Sequence, residues 1–423
     1  MSASSFSLLF AAALAAMVGV RLWLAARQLA HVARHRDRVP AAFAGRIALA
    51  AHQKAADYTA ARQRLGRVEM LVDAAVLAAL TLGGAFSLLV AWTGALPAGP
   101  LWQDVALFGA LALVSAASSL PFSWYATFVV EERFGFNRMT LGLWLADLAK
   151  GTLLAIALGL PLLLVVLWLM RDAGGAWWLW AWLAWMAFQL LVLVLYPTVI
   201  APLFNRFDPL PTGEARERVE ALLARCGFAS SGLYVMDGSR RSGHGNAYFT
   251  GFGRAKRVVF FDTLLARLDG DELEAVLAHE LGHYKLRHIA KRIAWSALAS
   301  AAFLALLAWA MRAPWFYEGL GIAPALVPAA MARPGVALAL FSLALPVFTF
   351  GFRPVAALYS RRHEFEADAF AARTASAGAL AQALVKLYED NAATLTPDPI
   401  HSAFYDSHPP AAVRIARLQA AAV

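Results

Sequence analysis

The chain has 423 residues, which as a soluble protein would make roughly two or three domains. Yet 60% of them are hydrophobic and only 15% charged, against ~25% charged in globular proteins, and the mean hydropathy is +0.58, so most of the chain belongs in lipid. The net charge of +9 fits cytoplasmic loops beside anionic headgroups. No basic, aromatic-studded module accompanies it, which excludes nucleic acid as a partner, and the single cysteine, Cys226, excludes an intramolecular disulfide and a cysteine-based zinc site.

In chain order, Ser5 to Val20 is apolar and the run resumes from Arg21 to Ala26. No Lys or Arg precedes it, so the charged start of a secretory signal is missing and a retained first span is expected. Residues 27–67 carry nine basic side chains, from Arg27 to Arg67. The positive-inside rule makes this loop cytoplasmic, and its Ala-rich composition predicts amphipathic helices on the membrane surface. Further spans are expected over about 70–92, 105–130, 153–170 and 177–200, each near the ~20 residues a helix needs to cross a bilayer. The last opens with Trp177, Trp178, Trp180, Trp182 and Trp185, resembling an interfacial belt.

Residues 202–292 change to a soluble composition, with 14 Lys+Arg and 11 Asp+Glu. Glu214 to Arg225 has a helical pattern. Gly232–Met236, Ala247–Thr250 and Arg257–Phe261 read as short strands, the last two joined by the glycine-rich turn Gly251–Lys256. Spans six and seven are expected over about 293–311 and 336–358. The predicted fold is thus an all-α membrane protein with a small α+β insertion and seven transmembrane helices; a hydrolytic site at membrane depth would need these to enclose a water-filled chamber. Its parts are residues 1–201 with spans one to five, a cytoplasmic segment 202–292, spans six and seven in 293–358, and a cytoplasmic tail 359–423. Alternation from the basic loop puts the N-terminus outside and both soluble parts inside.

The chemistry centres on His279-Glu280-Leu281-Gly282-His283, inside a stretch from Asp271 to His288 that reads as one helix. Residues four apart share a helix face, so His279 and His283 can point at one metal ion. Glu280, next to His279, reaches a water on that ion. This is the H-E-x-x-H pattern of zinc hydrolases, two ligands and a general base. A catalytic zinc keeps three protein ligands and one open position. After the seventh span, Arg361-Arg-His-Glu-Phe-Glu-Ala-Asp368 offers Glu364 and Asp368, four apart, as a ligand and a partner that orients a ligand imidazole. Glu366 is turned roughly 200° from Glu364 and falls outside the coordination shell. His363 is a rival ligand without an adjacent orienting carboxylate.

Pro121-Phe-Ser-Trp-Tyr125, Glu131-Glu-Arg-Phe-Gly-Phe-Asn137, Gly243-His-Gly-Asn-Ala-Tyr-Phe-Thr-Gly-Phe252, the His279 motif, Arg361 to Phe370 and Ser407-His-Pro-Pro410 with Arg414 together resemble the integral-membrane type I CAAX prenyl proteases, seven-span zinc endopeptidases of gluzincin type. The resemblance implies one zinc on His279, His283 and Glu364, with Glu280 as base. It also implies that Asn246 and its strand hold substrate backbone, that His408 donates to the oxyanion, and that Arg414 supports the substrate site. Gly245 stands where the family usually has serine, and Glu366 where glutamine is common. The expected partners are the lipid bilayer, with a bacterial inner membrane suggested by the Ala-, Arg- and Leu-rich composition, and a peptide or prenyl-peptide substrate. A membrane-protein quality-control protease is the alternative enzyme. A transporter or scaffold with structural zinc is the alternative of another kind, and one that would not need Glu280.

Overall fold

A computed structural model describes residues 1–228, 232–250 and 257–421; the expected turn at 251–256 lies outside them. Where the backbone must cross lipid, only the helix satisfies every N–H and C=O internally. Among the described residues, six helices are long and apolar enough to do so: Ala3–Arg34, Pro100–Glu131, Leu141–Asp172, Gly174–Phe204, His288–Ala310 and Pro334–Thr374. The bent pair Leu49–Leu80 and Ala85–Gly94, which meet at 58°, is together long and apolar enough for a seventh crossing. Gly84, in the left-handed region at φ 73°, makes the bend without the strain a side chain would impose there. The third, fourth and fifth spans each bury only 11% of their most apolar window. They form an open shell rather than a packed bundle.

Two expectations change here. The basic loop does not form separate surface helices. The first span runs on to Arg34 and the second begins at Leu49, because alanine-rich sequence propagates a helix it has already joined. The tryptophans are not all a belt either. Trp177 is 4% exposed in the core, and Trp182 Nε1 donates to the Ala297 carbonyl of the sixth span at 2.9 Å.

Asp104 and Arg333, both buried, clamp the far end of the spans. Arg333 Nε donates to Asp104 at 2.9 Å and its other nitrogens donate to the Val90 carbonyl and the Thr93 hydroxyl. The Gly335 N–H donates to the second carboxylate oxygen at 3.0 Å. A Cβ on Gly335 would come 2.5 Å from that carboxyl, so glycine is required. Removing one partner of such a pair leaves a buried charge alone, which costs ~3–5 kcal/mol. Arg333→Met is therefore expected to lower the unfolding temperature in detergent strongly, with Asp104→Asn/Arg333→Met recovering part of the loss; an unchanged melting curve for the single variant would contradict this.

The soluble part carries a four-stranded sheet in the order β1-β2-β4-β3. Strands β2 (Gly232–Met236), β3 (Ala247–Thr250) and β4 (Arg257–Phe261) lie where expected. Strand β1 (Phe207–Pro209) is additional, and its proline is tolerated because β1 is an edge. β2 pairs with β4 in parallel, and β3 pairs with β4 antiparallel, leaving β3 as the other edge.

The motif helix, Gly270–Lys285, starts with a capping box: Asp269 accepts from the Glu272 N–H at 2.9 Å, and Glu272 accepts from the Asp269 N–H at 3.0 Å. Its Leu273, Leu277 and Leu281 are buried in one hydrophobic core that also holds Val258 and Phe260 of β4 and Leu380 and Ile415 of the C-terminal helices. It ends earlier than expected. Arg287 adopts φ 57°, and His288 begins the next helix instead of closing this one.

Candidate metal centre and active site

The last span and the helix Arg353–Thr374 continue one another, bringing residues 364–368 back onto the motif helix. Gly282 permits the approach. A Cβ there would lie 3.1 Å from Ala367 Cα and 3.2 Å from Phe370 Cβ, so a larger residue would push the two helices apart. With the helices this close, His279 Nε2 and His283 Nε2 are 3.2 Å apart, His283 Nε2 and Glu364 Oε1 are 3.3 Å apart, and His279 Nε2 and Glu364 Oε2 are 3.5 Å apart.

Those separations are what a tetrahedral ion needs, since bonds of ~2.0–2.1 Å set neighbouring ligand atoms roughly 3.4 Å apart. Glu364 Oε2 is moreover buried with no hydrogen-bond partner, a position natural proteins seldom leave unfilled. Charge points the same way. Burial pushes His279 down, but Asp368 and Glu364 beside it overcome this and raise it to about 9, so the pocket favours a cation. Two nitrogens and a carboxylate form a donor set that zinc accepts.

Around the triangle, Asp368 Oδ1 lies 2.9 Å from His279 Nδ1, and Arg414 grips the same carboxylate through Nε at 2.8 Å and an Nη at 2.5 Å. Arg414, expected beside the substrate, thus reaches the cavity wall while spending its donors on Asp368. Glu280 opens on a cavity of about 330 Å³ that Asn246, His279, His408 and Tyr388 also line. Burial raises the Glu280 carboxyl above its ordinary value. His408 is exposed, with Nε2 3.4 Å from Glu364 Oε1 and Nδ1 3.0 Å from the Ser407 hydroxyl. Asn246 precedes edge strand β3, and its carbonyl accepts the Phe261 N–H at 3.0 Å. At Gly245 a Cβ would meet Leu264 at 3.6 Å, an ordinary contact, so the site has room for serine there.

Glu366 and His363 are elsewhere. Glu366 Oε2 lies 3.0 Å from His288 Nε2, and His363 stacks on the His288 ring. Sequence reasoning missed Asn391. Its Oδ1 accepts the Gly245 N–H at 3.1 Å and sits 3.2 Å from His244 Nδ1, fixing the chain that leads into β3. A single asparagine after a tail helix carries no spacing that would flag it.

Comparison with known proteins identifies the family. A family model described as the CAAX prenyl protease N-terminal region, with five membrane helices, matches residues 28–206, and one for peptidase family M48 matches residues 209–422. A CAAX prenyl protease 1 homologue of Arabidopsis thaliana is 37% identical over 71% of this chain and 70% of its own. CAAX prenyl protease 1 of Saccharomyces cerevisiae is 36% identical over 75% and 72%, and the Homo sapiens homologue 33% identical over 73% and 71%. The crystal structure of Ste24p from S. mikatae superposes with a TM-score of 0.90 at 29% identity, covering 98% of this chain and 99% of that one. The non-catalytic alternative falls away, and the chain belongs to peptidase family M48 as an integral-membrane metalloendopeptidase with the CAAX prenyl protease N-terminal region.

Proposed function

We propose that this protein is a zinc endopeptidase acting on CAAX-type prenylated peptides, with the metal held by His279, His283 and Glu364. The observation that carries the reading is the triangle of ligand atoms at 3.2, 3.3 and 3.5 Å on the two helices before span six and after span seven. Zinc held there supplies Lewis acidity, the means of activating water and polarising a peptide carbonyl.

The side chains do the rest. Glu280 takes the proton of the attacking water and returns it to the leaving amine. A carboxyl raised by burial suits both halves of that exchange. His408 donates to the oxyanion through Nε2–H, its Nδ1 meeting the Ser407 hydroxyl. Asp368 holds the His279 ring through Nδ1. The open edge of β3, entered through Asn246, offers unpaired backbone groups to an extended substrate, which would add as a further strand.

The sparse burial of spans three to five supports a chamber, one face of each helix meeting lipid and the other an interior space. Hydrolysis at this depth needs such a space to hold water. The basic residues of 27–67 support a cytoplasmic active site with the N-terminus outside, and the composition supports a bacterial inner membrane.

Purified protein with zinc is expected to cleave a farnesylated CAAX-type peptide, read by mass spectrometry of the released tripeptide. Cleavage of unlipidated, unfolded membrane segments with none of the prenyl peptide would overturn the CAAX reading in favour of quality control.

A further inference from the structure

A second line of side chains leads away from the metal triangle. His283 turns Nε2 to His279 and Glu364, while its Nδ1 lies 2.9 Å from Nδ1 of His288. On an unbroken helix, residues five apart point about 140° away from each other. The left-handed turn at Arg287 breaks the helix and folds His288 back onto His283. His288 is 2% exposed, and its Nε2 meets Glu366 Oε2 at 3.0 Å. Arg362 Nε donates to the other oxygen of Glu366 at 3.1 Å, and Lys291 Nζ lies 3.9 Å from Oε2.

We propose that His288 and Glu366 are positioning residues for the metal ligand His283, forming a line His283–His288–Glu366 that sets its tautomer and ring plane. The proposal rests on the reading of His283 as a ligand. Proton counting leaves one arrangement. A His283 that binds metal through Nε2 carries its proton on Nδ1 and donates it to His288 Nδ1. A neutral His288 accepting there holds its own proton on Nε2 and donates it to Glu366. Every ring nitrogen in the line is then satisfied. Both ligand imidazoles end on a carboxylate: His279 directly on Asp368 at 2.9 Å, and His283 through an inserted imidazole.

His288, His363 and Glu366 also bring ligand atoms within 4.8 Å of one another, as a second cation site would. The rings argue against it. His288 and His363 stack with centroids 3.9 Å apart and planes within 7° of parallel. An imidazole binds a metal in its own ring plane, and two planes so stacked share no point where one ion could sit.

The test uses the full-length zinc-loaded protein in detergent, with zinc release into excess chelator and the visible spectrum of the cobalt-substituted form as readouts. His288→Leu and Glu366→Leu should release zinc ~10–100-fold faster, the usual effect of losing an outer partner, and shift the cobalt bands. His288→Asn and Glu366→Gln, which keep the acceptors, should stay near the parent in both. Release at the parent rate and an unchanged spectrum for both leucine variants would overturn the line, as would two zinc ions per chain falling to one in Glu366→Leu. Glu366 is only partly buried, so its variants decide the matter even if His288→Leu does not fold. Full zinc content in His283→Ala would instead remove the ligand reading beneath the proposal, an outcome distinct from unchanged release rates.

Discussion

Glu280→Gln keeps its zinc and loses ~10²–10⁴-fold in turnover, the usual contribution of a positioned general base. The substitution replaces one oxygen by an NH₂ of nearly equal size. It leaves His279, His283 and Glu364 in place, so metal content and melting temperature should match the parent. The lost step is the proton transfer, because an amide has no basic oxygen to take the water's proton and nothing to hand to the amine. Zinc analysis and peptide cleavage on one preparation read both quantities. Near-native cleavage with one zinc per chain would show that another group serves as base.

Glu364→Ala acts on the other half of the site and should strip the metal. Two imidazoles from one helix then remain, facing Arg414, whose Nη1 lies 3.7 Å from the lost carboxylate. A cation between them would lose its only anionic ligand. Zinc affinity should therefore fall by more than the ~10–100-fold expected for Asp368→Ala, which removes the partner of His279 Nδ1 and of Arg414 but no metal ligand. Glu366→Ala should still fill with zinc when the metal is in excess, because Glu366 contacts His288 and not the triangle. Metal content of the three variants after loading with excess zinc and rapid desalting orders them. Retention by Glu364→Ala together with loss from Glu366→Ala would assign the third ligand to the wrong carboxylate.

The parts of this site that share a helix face were legible before any coordinates. His279 with His283, and Glu364 with Asp368, are each four apart, and a helix turns that spacing into a direction in space. Strands β2, β3 and β4 showed in their β-branched and aromatic runs, and the spans in sheer hydropathy. What stayed hidden depends on contacts with no local period. Asp104 and Arg333 meet across 229 positions, and His244 and Asn391 across 147. The break at Arg287 was hidden for another reason. The stretch from Asp271 to His288 is helix-forming throughout, and only the left-handed residue in the folded chain shows that His288 belongs to the next helix. The strand β1 was too short, and too rich in Asp and Pro, to resemble one.

The central claim is that the working metal is zinc on two imidazoles and a carboxylate. X-ray absorption at the zinc edge, taken on catalytically active protein, addresses it directly. The account predicts nitrogen and oxygen neighbours only, at ~2.0–2.1 Å, with the outer-ring scattering of two imidazoles and no sulfur. Active protein that holds no zinc, or a zinc shell without imidazole scattering, would contradict it.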